Sequence, residues 1–93
     1  MPLDYLIAKS SMDYSTKYLS KILLGSKIVI NNISPGGVFD NQDKNFVKKY
    51  SEYTNNKAML KAEDIFDIVN FLAFAKNLKI TGQNFIVDDG FSL

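Results

Sequence analysis

Two stretches of this chain read as β-strand, Lys27 to Ile33 and Phe85 to Asp88, and two helical segments stand between them. The first stretch is β-branched and mostly apolar, as a strand covered on both faces would be. Strands separated by helices pair in parallel, because a parallel return needs a crossover, and this predicts an α/β sheet. Two strands alone leave both edges of a sheet open and make a poor core. With 93 residues there is room for one small domain at most. Residues 1–93 are therefore expected to form a single incomplete domain, the end of something larger.

Around those strands the helices carry ordinary boundary signals. The first is expected from Leu3 to Leu24, with Pro2 suited to its start, Asp4 in its first turn and Gly25 as its C-cap. Ile7, Tyr14, Tyr18, Leu19 and Ile22 make its apolar flank, opposed by Lys17 and Lys21. Ser34-Pro35-Gly36-Gly37 reads as a loop that continues irregularly through Val38 to Gln42. Asp43 can cap a short helix through Lys44, Phe46, Val47 and Tyr50 that ends near Asn55-Asn56. A third helix is expected from about Ala62, with Glu63 and Asp64 in its first turn and Ile65, Ile68, Val69, Leu72 and Ala75 aligned. Ile80 to Gln83 turns the chain into the last strand, and Asp89-Gly90 follows it.

Composition removes many kinds of chemistry. The chain has no cysteine and no histidine, so disulfides, thiol nucleophiles, imidazole bases and nearly all zinc sites are out of reach. No metal site is expected, since Asp88 and Asp89 are adjacent carboxylates with no further ligand in view. A net charge of +1 gives no electrostatic reason to expect nucleic acid or a membrane as partner. Every cation is lysine, which removes the bidentate arginine contacts to guanine and phosphate. Asp4 and Lys9 interrupt the apolar start, and no apolar run approaches the ~20 residues that span a bilayer, so a cytoplasmic location is expected.

Proton chemistry is left to Tyr, Lys, Asp and Glu. Tyr5 and Lys9, four apart, share one face of the first helix. A fixed cation favours the phenolate and lowers a pKa that otherwise sits near ~10, so such a pair can move protons near neutral pH. Taken alone, that spacing arises often by chance. Ser34-Pro35-Gly36-Gly37 is most often only a turn, yet here it follows a strand at the carboxyl edge, where open α/β sheets place ligands. The lysines at 44, 48, 49, 57 and 61 alternate with Asp43, Glu52, Glu63 and Asp64, which predicts a solvated mixed-charge surface. Tyr14, Tyr18, Phe46, Tyr50 and Tyr53 suit aromatic packing or a subunit interface better than base stacking.

Taken together, Tyr5-x-x-x-Lys9, a long helix, a strand running into Asn31-x-Ile33-Ser34-Pro35-Gly36, Ile80-Thr81-Gly82-Gln83 and Asp88-x-Gly90 resemble the short-chain dehydrogenase/reductase family. The loop Ser34 to Gln42, with Met1-Pro2-Leu3-Asp4 ahead of Tyr5, is similar to a bacterial subgroup of flagellin modification and nonulosonate or related sugar biosynthesis. The resemblance implies the carboxyl-terminal part of a Rossmann-like doubly wound fold, with the amino-terminal cofactor-binding half absent. It implies that Tyr5 is the catalytic acid/base and that Lys9 depresses its pKa and hydrogen-bonds the nicotinamide ribose. Pro35 and Gly36 would wall the nicotinamide ring, with the Val38 backbone near its carboxamide. The implied cofactor is NAD or NADP in the full-length context, with none bound by this chain alone. The implied partner is a second copy, in a dimer or tetramer built on helix Leu3–Leu24 and the carboxyl-terminal strand.

Three family features have no counterpart in these residues: a Gly-rich pyrophosphate turn, the catalytic serine upstream of the tyrosine, and the catalytic asparagine before it. Asp89 also stands where the family usually has glycine, which leaves the conformation of the last turn open. Two functions are consistent with this pattern. One is a fragment of a carbonyl reductase or alcohol dehydrogenase acting on a sugar or other polar metabolite. The other is a truncated, inactive product that acts only in oligomerisation or interaction. An unrelated small binding module with a closed core fits the two-strand count poorly.

Overall fold

The computed structural model describes residues 3–76 and 79–93; Pro2, assigned above to the helix start, lies outside them. Five elements follow in order: α1 (Leu3–Ile22), β1 (Asn32–Pro35), α2 (Lys44–Ser51), α3 (Glu63–Phe74) and β2 (Asn84–Val87). β1 and β2 pair as a two-stranded sheet. Asn32 N–H donates to the Gln83 carbonyl and Gly36 N–H to the Val87 carbonyl, both at 2.8 Å, so the register advances in the same direction along both strands. That is the parallel pairing expected of helix-separated strands. The chain forms two compact units, Met1–Ile33 with Ala75–Phe85, and Ser34–Phe74 with Ile86–Leu93.

In the first unit α1 stops two residues short of the expected Leu24. Leu23 N–H still bonds to the Leu19 carbonyl, but the chain then turns through Gly25 at φ 87°. The expected strand from Lys27 to Ile33 is corrected to a strand that begins only at Asn32. Lys27 has φ 65°, which no strand residue adopts. Ser26 also competes for the backbone, its hydroxyl donating to the Leu23 carbonyl at 2.6 Å and accepting from Ile28 N–H at 3.1 Å. Ahead of Asn32, side chains take over from the backbone ladder. Thr81 Oγ accepts from Ile30 N–H at 3.2 Å, and the Asn31 amide donates to the Ile80 carbonyl while accepting from Gln83 N–H.

The buried stripe of α1 is polar, and the apolar flank read from the pattern faces outward. Thr16 and Ser20 are its buried residues, whereas Ile7, Tyr14, Tyr18, Leu19 and Ile22 are all exposed. Ser20 Oγ lies 2.8 Å from the Thr16 carbonyl and 3.1 Å from the Ile30 carbonyl, so one proton is shared between two acceptors. A small hydroxyl residue suits this place because the turn at Gly82 comes close: a Cβ there would stand 3.2 Å from Ser20 Cβ.

In the second unit the helix caps follow expectation. Asp43 accepts from Asn45 N–H at 3.2 Å at the start of α2, which ends at Ser51 rather than near Asn55. α3 begins one residue after Ala62, where Asp64 reaches back to Lys61 N–H at 2.7 Å, half of a capping box. Ile65, Ile68 and Leu72 are half-buried on its inner side, but Val69 is exposed. Val38 forms a parallel bridge with Leu60, and Met59 and Leu60 are the buried apolar residues. β2 gives way one residue before the expected Asp88. The Asp88 carboxylate there accepts from Gly90 N–H at 3.0 Å and Ser92 N–H at 3.2 Å, and so closes a turn.

Candidate functional site

Tyr5 and Lys9 sit in the first two turns of α1, and the i, i+4 geometry brings them together as their spacing predicts. The Lys9 ammonium stands 5.7 Å from the centroid of the Tyr5 ring, over its face. At that distance the cation is attracted by the ring quadrupole and places a positive charge beside the phenol. Tyr5 is 47% exposed, so the residue is not closed off within the chain. The pair can give or take a proton at the phenol oxygen with a cation held alongside.

Pro35, Gly36 and Val38 lie together in the second unit, on a segment anchored at several points. Gly36 N–H donates to the Val87 carbonyl. Gly37 N–H donates to the Tyr50 hydroxyl at 2.6 Å. The Gly37 carbonyl accepts from Leu60 N–H at 3.0 Å, and Phe39 N–H donates to the Leu60 carbonyl at 2.8 Å. The bridge thus runs through the neighbours of Val38, and the N–H of Val38 itself points to the opposite edge. Gln42 closes the segment, its amide donating to the Val38 carbonyl at 3.1 Å and accepting from Asp40 N–H at 2.6 Å. Pro35 is exposed, while Gly36 and Val38 are half-buried.

Lys44, Lys48 and Lys57 gather around an open hollow of about 650 Å³ that also holds Phe39, Val47 and Glu52. Lys57 Nζ donates to the Glu52 carbonyl at 3.0 Å, and the mixture of charges is the one expected from the sequence. No group of carboxylates able to hold a metal occurs among the described residues, and none of the described helices is long and apolar enough to cross a membrane.

Three features of this region escape sequence reasoning. Tyr50 contacts Gly37 across thirteen positions, a pairing no periodicity announces. Gln42 works through its side-chain amide on the backbone around it. Asp89, at φ 55°, adopts the left-handed conformation that suits glycine, and an aspartate tolerates it with local hydrogen bonds. Its carboxylate accepts from Asn56 N–H at 2.9 Å and from the Asn56 amide at 2.8 Å, and its carbonyl accepts from Asn55 N–H. The one visible signal was the aspartate itself in a place where glycine was expected. The Ser92 hydroxyl holds the Asp88 carboxyl below its ordinary pKa; partial loss of solvent opposes it, and the Gly90 and Ser92 N–H groups add to the lowering.

Comparison with known proteins gives one family and a consistent fold. The sequence profile described as "Enoyl-(Acyl carrier protein) reductase" matches residues 3–92. A post-translational flagellin modification protein A from Campylobacter coli is 36% identical over 91 residues, covering 98% of this chain and 36% of that protein. The NADH-dependent enoyl-[acyl-carrier-protein] reductase FabI of Bacillus subtilis is 31% identical over 94% of this chain, again 36% of its own length. Among solved structures, a short-chain dehydrogenase from Leptospira borgpetersenii with bound NAD+ superposes with a TM-score of 0.93 at 35% identity. That match covers 99% of this chain and 36% of the Leptospira protein. The chain therefore spans about a third of the length of the relatives it matches.

Proposed function

The chain belongs to the short-chain dehydrogenase/reductase family, and on that premise we propose that it is the carboxyl-terminal segment of an oxidoreductase that interconverts a carbonyl and an alcohol with NAD or NADP. The observation that carries this reading is the accessible Tyr5 phenol with the Lys9 ammonium over its ring. Tyr5 donates its proton to the carbonyl oxygen in reduction and takes the alcohol proton in oxidation. Lys9 keeps its positive charge beside the phenol and would hydrogen-bond a ribose hydroxyl of the dinucleotide. When bound, the nicotinamide supplies or accepts the hydride.

The residues present fit the nicotinamide end of such a cofactor. Pro35 and Gly36 offer a flat, sterically small wall, and the outward N–H of Val38 is a donor for a carboxamide oxygen. The pyrophosphate turn and the serine belong, in this reading, to residues outside these 93, and the domain is completed by them. The 36% identity to the Campylobacter coli protein favours a sugar or other polar metabolite in a flagellin-modification route as substrate. The decisive experiment is Tyr5→Phe in the native protein that carries these residues. Loss of ~10² to 10⁴-fold in turnover, with cofactor binding kept, is the expected result. Turnover at the wild-type rate would refute the assignment.

A second reading is favoured by one observation, the exposed apolar side of α1 formed by Ile7, Tyr14, Tyr18 and Ile22. Contiguous apolar surface of this kind marks an interface. In this reading α1 and β2 join copies of the chain in a dimer or tetramer, and the product acts through association alone. Sedimentation of the native protein against a Tyr14→Glu, Tyr18→Glu variant separates the cases. Dissociation by the variant supports association through α1, and turnover by the native protein excludes association as its sole role.

A further inference from the structure

We infer that Tyr50 is a positioning residue for the nicotinamide-facing loop, its hydroxyl fixing Pro35 and Gly36 through the hydrogen bond from Gly37 N–H at 2.6 Å. The inference rests on the reading of Pro35 and Gly36 given above. The ring that carries this hydroxyl is packed among other aromatic rings. Tyr50 stacks on Phe91 with centroids 4.1 Å apart and planes 8° from parallel, and Phe46 stacks beside it at 6.2 Å. Tyr53 meets the same Phe91 edge-on at 6.1 Å. Such a cluster packs the phenol ring, while the hydrogen bond from Gly37 N–H is what registers the oxygen against the loop.

The loop is shaped to that point. A Cβ on Gly37 would stand 2.8 Å from Cζ of Tyr50, and one on Gly36 would stand 3.0 Å from the hydroxyl oxygen. Two adjacent glycines therefore let the backbone come down onto the phenol, and the hydrogen bond registers it there. Removing the oxygen alone leaves the Gly37 donor without its partner in a half-buried place, and the loop must move to find another. Removing the stacking partner instead weakens the packing and leaves the donor satisfied. Stability and loop position are thus separable by two substitutions on one ring pair.

The test compares Tyr50→Phe and Phe91→Leu in the native protein, by fluorescence titration with NADH and NADPH, thermal unfolding and amide exchange at Gly37. Tyr50→Phe is expected to weaken cofactor binding about tenfold and to speed Gly37 exchange, with a smaller fall in melting temperature than Phe91→Leu produces. Phe91→Leu is expected to lower the melting temperature and to keep affinity within about twofold of wild type. Unchanged affinity in Tyr50→Phe overturns the inference. So does a loss of affinity that follows melting temperature in both variants, because Tyr50 would then be a packing residue only. A wild-type protein that binds neither nucleotide refutes the reading of Pro35 and Gly36 itself, and the inference falls with it.

Discussion

Replacing Gly36 by alanine is expected to destabilise the protein through contact alone. A Cβ at this position would lie 2.7 Å from Asp88 Cβ, 2.8 Å from Asp88 Cα and 3.0 Å from the Tyr50 hydroxyl. Ordinary Cβ contacts begin at 3.4 Å, so about 0.7 Å must be made up, and the nearest atoms cannot swing away. Cα and Cβ of Asp88 move only with the backbone, which is held by the Asp88 turn and by the Gly36 to Val87 hydrogen bond. Overpacking of this kind costs about 1–3 kcal/mol. Gly36 does not have a positive φ, so alanine there carries no dihedral penalty and gains roughly 0.4–1 kcal/mol from the stiffer unfolded chain. The net expectation is a loss of about 1–2 kcal/mol. Gly25 is the control, with φ 87° and nothing within 4 Å of where a Cβ would stand; alanine there costs about 1–2 kcal/mol through the backbone alone. Urea unfolding of the two variants, with cofactor binding measured alongside, separates the two causes. Gly36→Ala should lose both stability and affinity, and Gly25→Ala stability only. A Gly36→Ala protein as stable as wild type would refute the close approach of Asp88 on which the reasoning depends.

The turn after β2 gives two further tests. The Asp88 carboxyl is held below its ordinary pKa, so the stability it adds is full above about pH 4, the usual carboxylate range, and is lost as pH falls through the lower folded value. Melting temperature followed downward from pH 5 should fall less steeply in Asp88→Asn than in wild type. Asp89→Ala should cost about 2–3 kcal/mol in denaturant unfolding, since it keeps φ 55° and loses both bonds to Asn56. Asp89→Gly relieves the dihedral and should cost about 1 kcal/mol or less; equal losses would show that the left-handed conformation carries no penalty. In the first unit, Ser20→Val should cost about 2 kcal/mol and Ser20→Ala about 1, because the Gly82 turn approaches so closely that a Cβ on Gly82 would stand 3.2 Å from Ser20 Cβ, which leaves little room for a second branch at position 20. Equal melting temperatures for those two would place Gly82 farther from α1.

The element order, the parallel pairing, the Asp43 cap and the Tyr5–Lys9 pair were all legible in the chain. They depend on interactions within a few residues, where period 3.6, capping chemistry and glycine placement act directly. The family was legible too, because its motifs recur in order along the whole chain. The extent of β1 was not. Lys27 to Asn31 have the composition of a strand, but Ser26 and the φ of Lys27 turn the backbone away from it, and Thr81 and Asn31 side chains supply the bonds that a ladder would have made. The apolar flank of α1 was legible as a pattern, but its burial was not. A pattern states which residues would gain from leaving water, and only neighbours in space decide which of them do.

By itself, then, the sequence determined the local elements, the family and the meeting of Tyr5 with Lys9, because each is written in short spacings or in residue types that allow few substitutes. The tertiary structure alone decided that Tyr50 fastens the glycine loop, that Asp89 can hold a left-handed turn by gripping Asn56, and that α1 buries hydroxyls instead of its isoleucines and tyrosines. Each of these joins residues far apart in the chain. Their energies come from distances of closest approach, and those distances exist only after the backbone has folded.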